Sequence, residues 1–148
     1  MSATGLQRAS VAAFAVLVVV LVALYRLGAL LGGSAPALVL QALAFLLMVW
    51  ARVAFGRRSF HAGADPTAGG LVTSGPYRFV RHPIYSAVLG FLLVGVVARP
   101  SLAAAGLFAV AVGAVFVRIT AEETLVRARY PEYERYAART KRLVPFVL

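Results

Sequence analysis

Long apolar segments separated by short polar ones dominate the chain. Four of them stand out, at residues 9–31, 37–55, 84–98 and 102–119. A helix needs about 20 apolar residues to cross a bilayer, and the last two segments are short for a full span. The pattern predicts an all-α polytopic membrane protein with four transmembrane helices and a helical cytoplasmic or interfacial tail, as one domain over residues 1–148.

The first apolar segment has one alternative interpretation, a cleaved signal peptide. Arg8 precedes it, and small residues follow at 33–35. Because the apolar run exceeds the usual signal-peptide core of about 7 to 15 residues, we expect a retained helix. Residues 56–83 are predicted to form a cytoplasmic loop, in which His61 is expected to be solvated.

Basic residues are distributed unequally between the two ends of the predicted helices. Residues 52–81 hold five arginines and the chain from Arg118 onward holds seven basic residues, whereas the opposite turns hold only Arg26 and Arg99. The positive-inside rule then places both termini and the central loop in the cytoplasm, in a membrane of the bacterial inner or plasma type. The net charge of +10 is therefore explained by topology and anionic lipids rather than by nucleic acid, and residues 135–142 are expected to form a membrane-surface patch.

The most distinctive polar stretch, residues 75–85, lies just before the third apolar segment. It reads Gly-Pro-Tyr-Arg-Phe-Val-Arg-His-Pro-Ile-Tyr. Pro83 suits the first position of a helix, which puts His82 at the cap. The free N–H groups of such a helix start favour a carboxylate or a phosphate. From these residues alone, a helix start that contacts lipid headgroups is an equally open interpretation.

A second polar cluster follows the fourth apolar segment. Arg118 and Glu122 are four residues apart and share a helix face, while Glu123 is turned by about a quarter of a circle. Tyr133 and Tyr136 give a further short helix an aromatic side. Taken alone, these features indicate a salt-bridged helix end and interfacial aromatic packing.

Taken together, the two clusters resemble the isoprenylcysteine carboxyl methyltransferase family, whose wider group includes the phospholipid N-methyltransferases. The resemblance covers residues 71–145 and rests on Gly-Pro-Tyr, Arg-His-Pro-x-Tyr, Glu-Glu-x-Leu, Tyr-x-x-Tyr and a closing Val-Pro. The chain departs from the common pattern at Tyr130-Pro131, where many members have Phe-Gly, and at Ala87, where glycine is common.

The resemblance implies S-adenosylmethionine-dependent methyl transfer to a lipophilic or lipidated acceptor, with a carboxylate as the expected methylated group. The implied cofactor-binding residues are Gly75, Tyr77, His82, Pro83, Tyr85, Glu122 and Glu123. Arg81 and Arg118 are the implied catalytic residues, which would orient the acceptor carboxylate. The acceptor would enter from the bilayer and the cofactor from the cytoplasm, with the tail as a lid. Membrane lipids are expected partners, whereas no nucleic acid and no metal are expected. The oligomeric state is open.

Two alternatives from other classes remain at this point. A similar Arg-His-Pro-x-Tyr motif occurs in membrane sterol reductases, which use NADPH, but this chain is short for such an enzyme. A non-catalytic membrane protein that binds anionic lipid is the other alternative. The acceptor itself is also open, since a prenylated cysteine, another lipophilic carboxylate, an amine headgroup, a thiol and a phenol all fit the sequence.

Overall fold

The computed structural model describes residues 2–56 and 70–145. Residues 57–69 of the predicted central loop, including His61, lie outside the described residues. The described part forms five α-helices and no strand, which confirms the all-α prediction. The helices are α1 (Ala3–Arg26), α2 (Ala35–Phe55), α3 (Pro83–Ala98), α4 (Leu102–Arg129) and α5 (Tyr133–Arg139), and a 3-10 turn over Gly75–Arg78 precedes α3.

Local capping explains where the helices begin. A serine stands before α1, α2 and α4, and each serine hydroxyl accepts a hydrogen bond from the backbone N–H three residues later, at 3.1–3.4 Å. The third helix starts differently, with Pro83 as its first residue and His82 at the cap position. No side chain caps that first turn, so its N–H groups face the space in front of the helix.

Two helices, α1 and α4, differ from their predicted bounds by more than two residues. The first begins at Ala3 because Ser2 caps it, and it ends at Arg26 because Gly28 adopts a left-handed φ of +66°. The fourth, predicted over 102–119, continues without a break to Arg129. Its 28 residues span about 42 Å, so its last turns extend beyond a hydrocarbon core of about 30 Å.

The helices pack as two pairs. The first lies along α4 and the second along α3, and contacts between α3 and α4 join the pairs. On the inner face of α1 the buried residues are Ser10, Ala13, Leu17, Val20 and Leu24. Gly95 of α3 lies directly against the α1–α2 turn, since a Cβ on it would lie 2.4 Å from the carbonyl oxygen of Leu30.

Three helices, α1, α2 and α4, are long and apolar enough to cross a membrane. The third is apolar but has only 16 residues, a length of about 24 Å. The prediction of four transmembrane helices is therefore supported for three of them. Whether α3 forms the fourth span stays a prediction.

Candidate active site

The start of α3 is tied to the C-terminal segment 137–143 by backbone hydrogen bonds. The N–H of Arg81 donates to the carbonyl of Lys141 at 2.7 Å, and the N–H of His82 donates to the carbonyl of Arg142 at 3.0 Å. The two stretches were predicted to share one end of the bundle. In the structure the two stretches are hydrogen-bonded to each other along their backbones. Segment 137–143, called the tail from here on, therefore forms a wall beside the first turn of α3.

Glu123 lies at the centre of the ionic contacts at this end. Its side chain is 1% exposed. One carboxylate oxygen accepts a hydrogen bond from Arg81 Nε at 3.0 Å and lies 3.3 Å from His82 Nε2. The other accepts from Arg142 Nη2 at 3.1 Å and lies 3.7 Å from Arg127 Nη2. Both oxygens of Glu123 are thus engaged by side chains of the protein itself.

Glu122 has a different environment, and its side chain is 26% exposed. Its Oε1 accepts a hydrogen bond from the Tyr85 hydroxyl and lies 3.4 Å from Arg118 Nη2. Its Oε2 lies 3.7 Å from His82 Nδ1, which is beyond hydrogen-bonding distance. Of the two adjacent glutamates, Glu122 therefore has the more exposed side chain, and its Oε2 is not hydrogen-bonded to His82.

Arg118 connects this cluster to α1. It is buried; its Nε donates to the Tyr85 hydroxyl at 2.6 Å and its Nη1 donates to the carbonyl of Ser10 at 2.9 Å. Its guanidinium carbon also lies 5.3 Å from the centre of the Phe14 ring. Within the described residues the buried Ser10 hydroxyl has no hydrogen-bond partner. The sequence reasoning did not include α1 in the site, and no motif in its apolar run points to these contacts.

The side chain of Arg81 holds the tail. Besides the bond to Glu123, its Nη1 donates to the carbonyl of Ala137 at 2.9 Å and to that of Thr140. The role first expected of Arg81, orientation of an acceptor carboxylate, stays a prediction. Arg142, which was expected in a membrane-surface patch, instead reaches Glu123.

His82 and Pro83 lie between the two glutamates and the first turn of α3. The His82 ring stacks on the ring of Tyr85, with centroids 5.8 Å apart, and its two nitrogens face different carboxylates. Pro83 is buried. The structure therefore brings six of the predicted site residues into one cluster: Arg81, His82, Tyr85, Arg118, Glu122 and Glu123.

Gly75 and Tyr77 lie beside α2, at the edge of this cluster. Gly75 adopts a φ of +59°, and a Cβ there would lie 3.3 Å from Trp50 Nε1. The Tyr77 ring packs on Phe55, and its carbonyl accepts a hydrogen bond from the Tyr136 hydroxyl at 2.7 Å. Burial raises the pKa of the Tyr77 phenol, and the nearby Tyr136 and Glu122 raise it further. Tyr77 is thus close enough to Glu122 to be influenced by its charge.

Residues 2–56 and 70–145 contain no group of three histidine or acidic side chains that could hold a metal ion. The chemistry available at this end is that of carboxylates, guanidiniums, an imidazole, a phenol and free backbone N–H groups.

These features define the class of the protein. It is a small helical protein with membrane-length helices and an ionic cluster at one end of its bundle. The isoprenylcysteine carboxyl methyltransferase (ICMT) family model matches residues 33–128, so the chain belongs to that family. The resemblance first noted from the polar motifs is thereby confirmed. Membership of this family and the three apolar helices indicate an integral membrane protein.

A curated relative is the cobalt-zinc-cadmium resistance protein CzcN of Cupriavidus metallidurans, which is 38% identical over 77 residues. The matched part covers 51% of this chain and 35% of that protein, so the chain spans about a third of that relative's length. No solved structure matches the chain.

Proposed function

We propose that the chain is an S-adenosylmethionine-dependent methyltransferase that methylates a lipophilic acceptor at a carboxylate. The observation that carries the proposal is the contrast between the two glutamates. The Glu122 side chain is 26% exposed whereas that of Glu123 is 1% exposed, and both lie in an ionic cluster at one end of a bundle from a methyltransferase family. We further propose that α3 is the fourth span and that this end and both termini are cytoplasmic.

The residues present fit the charged groups of the cofactor. An ammonium is suited to Glu122 Oε2, which lies 3.7 Å from His82 Nδ1, beyond hydrogen-bonding distance. A carboxylate is suited to the uncapped N–H groups at the start of α3. When bound, the cofactor supplies a methyl group activated by its sulfonium. Because Glu123 is already engaged by three basic side chains within 3.3 Å, we assign it to holding the tail and not to the ligand.

The acceptor is proposed to reach Arg118 from the bilayer side. The Nη2 contact of Arg118 with Glu122, at 3.4 Å, is longer than its bonds to Tyr85 and Ser10, so it is the contact that an acceptor carboxylate would replace. The unpartnered Ser10 hydroxyl is a further donor near this position. Lipophilic acceptors suit this approach because α1 and α4 both have the length and apolarity of membrane helices.

Methyl transfer needs alignment and exclusion of water more than strong acid or base chemistry. Tyr85 and Arg118 orient the Glu122 carboxylate by direct contact, and the bonds from Arg81 and His82 to the tail fix the wall beside it. The protein's contribution is therefore a rigid, water-poor site that holds two ligands in line.

Calorimetric titration of detergent-purified protein with S-adenosylmethionine, S-adenosylhomocysteine and NADPH tests the proposal. We expect the adenosyl compounds to bind, and Glu122→Gln to weaken their binding roughly tenfold to a hundredfold through loss of a charge-assisted contact. The matched control is Glu134→Gln, which changes an acidic residue of α5 that is 70% exposed. Binding of NADPH alone would assign the chain to the reductases. Absence of all binding, or equal loss in both variants, would contradict the proposal.

A further inference from the structure

A second structured region lies at the end of the bundle opposite Glu123. The α1–α2 turn and the α3–α4 turn meet there, and the guanidinium of Arg99 lies over the α1–α2 turn. A Cβ on Gly28 would lie 3.7 Å from Arg99 Nη1, and one on Gly33 would lie 3.5 Å from Nη2. Both distances correspond to ordinary van der Waals contact, so the guanidinium packs directly against the turn.

A buried amide fixes the conformation of the α1–α2 turn. Gln41, which is 3% exposed, donates from Nε2 to the carbonyl of Leu30 at 2.8 Å and to that of Phe91 at 3.1 Å. Its Oε1 accepts from the N–H of Gly32 at 3.0 Å. The close packing of Gly95 against the carbonyl of Leu30 adds a steric constraint. The turn is therefore held rigidly by α2 and α3.

This fixed turn forms one wall of a cavity of about 210 Å³ that is open to the surface. Its lining residues are Tyr25, Gly28, Leu30, Leu31, Gly32 and Arg99. A water molecule takes about 30 Å³ of liquid volume, so the cavity admits a group several times larger. The cavity combines an apolar wall, a tyrosine and a single guanidinium.

No acidic residue of the described chain neutralises this end. Four of the five acidic residues are glutamates of α4, α5 and their connection, at the opposite end, and the fifth, Asp65, lies outside the described residues. Arg26 and Arg99 therefore give this end a local positive charge. A guanidinium beside a cavity without a carboxylate partner favours an anion, and its planar fork matches a phosphate.

We propose that this cavity binds the phosphodiester headgroup of an anionic membrane phospholipid, with Arg99 as its charged ligand. The position favours a lipid over a soluble phosphate, because the cavity lies at the ends of membrane-length helices. Leu27 and Leu31 beside it are exposed, as a surface for an acyl chain requires, and Tyr25 is exposed at the level where tyrosine meets headgroups. The site is separate from the proposed methyltransferase centre.

Native mass spectrometry in detergent, with phosphatidylglycerol added at increasing concentration, tests this site. We expect one tightly held lipid and an affinity about tenfold or more lower in Arg99→Gln. The matched control is Arg26→Gln, which removes an exposed arginine at the same end that does not line the cavity and should change the affinity less than about threefold. Gln41→Leu should weaken the lipid affinity although Arg99 is retained, because the turn loses its fixed conformation.

Three results would overturn the proposal. Equal losses in Arg26→Gln and Arg99→Gln would show general electrostatic attraction. Equal binding of phosphatidylcholine would remove the preference for an anionic lipid. Displacement of phosphatidylglycerol by millimolar inorganic phosphate would show a free-phosphate site. Melting curves of Arg26→Gln and Arg99→Gln, recorded in parallel, should stay close to that of the unaltered protein, since both arginines are exposed.

Discussion

Replacing Glu123 by glutamine tests whether this residue holds the tail. Glutamine keeps the size of the side chain but removes the charge that faces Arg81, His82 and Arg142. Arg142 belongs to the tail, and Arg81 binds two tail carbonyls. The substitution therefore weakens the contact between the tail and the bundle at its most buried point.

The expected loss of free energy for docking the tail follows from the burial of these groups. Removing one partner of a buried ion pair costs roughly 3–5 kcal/mol. The Arg142 side chain is 40% exposed, so solvent screens its contact with Glu123. The cost of losing this contact therefore lies at the low end of that range. We take about 3 kcal/mol for the docking of the tail, which corresponds to roughly a hundredfold more of the open state.

Limited proteolysis with trypsin measures this opening. The segment contains Arg139, Lys141 and Arg142 as cleavage points, and cleavage of a rapidly opening segment follows the population of its open state. We expect the tail of Glu123→Gln to be cut roughly a hundredfold faster, with loss of the C-terminal fragment seen by intact mass. Glu122→Gln is the matched control and should change the rate less than about threefold, since the contacts of Glu122 are with α3 and α4.

A tail that is cut at the same rate in both variants would refute the division between the two glutamates. The helical signal in circular dichroism must be retained in Glu123→Gln, because global unfolding also exposes the tail. Faster cleavage without loss of helix is the result that assigns Glu123 to the tail.

The remaining predictions concern three other contacts. If Arg118 orients the acceptor as proposed, Arg118→Ala should slow methyl transfer at least about tenfold and lower S-adenosylmethionine affinity by a smaller factor, as turnover and calorimetry would show. Gly95→Ala should lower the free energy of unfolding by about 1–3 kcal/mol, measured by thermal unfolding, because a Cβ would lie 2.4 Å from a carbonyl oxygen of the α1–α2 turn. Gly106→Ala is the control and should have little effect, because nothing lies within 4 Å of the Cβ position there. Burial raises the pKa of Tyr136 from 10.0 to about 12, so its stabilising effect is complete below pH 10 and lost as pH rises through 12. The difference in melting temperature between the unaltered protein and Tyr136→Phe should therefore be smaller at about pH 11 than at about pH 9.

The sequence was sufficient to predict the helices but not their packing faces. The buried residues of α1 follow a spacing of three and four, at Ser10, Ala13, Leu17, Val20 and Leu24. In a soluble helix the opposite face would be polar and would make this pattern visible. Here the opposite face is apolar too, as a face toward lipid requires, so hydrophobicity alone could not separate the two sides.

The candidate site could be predicted only in part from the sequence. The motif before α3 and the glutamates after the fourth apolar segment were expected to share one end, because two antiparallel helices return the chain to the end where it started. The contact between Arg118 and Ser10 joins residues 108 positions apart, and no local pattern records it. Arg142 was likewise indistinguishable from a surface cation until its contact with Glu123 was known.

The separate environments of Glu122 and Glu123 follow from the length of α4. Adjacent residues on an α-helix point about 100° apart, so they face different neighbours. Glu122 shares a face with Arg118 one turn before it, and Glu123 shares a face with Arg127 one turn after it. Had the helix ended near residue 119, as the apolar pattern predicted, both carboxylates would lie in a flexible connection and either could turn toward one ligand. Because the helix continues to Arg129, one carboxylate faces the start of α3 and the other is enclosed by the tail, and the Glu-Glu pair acts as two residues with separate contacts.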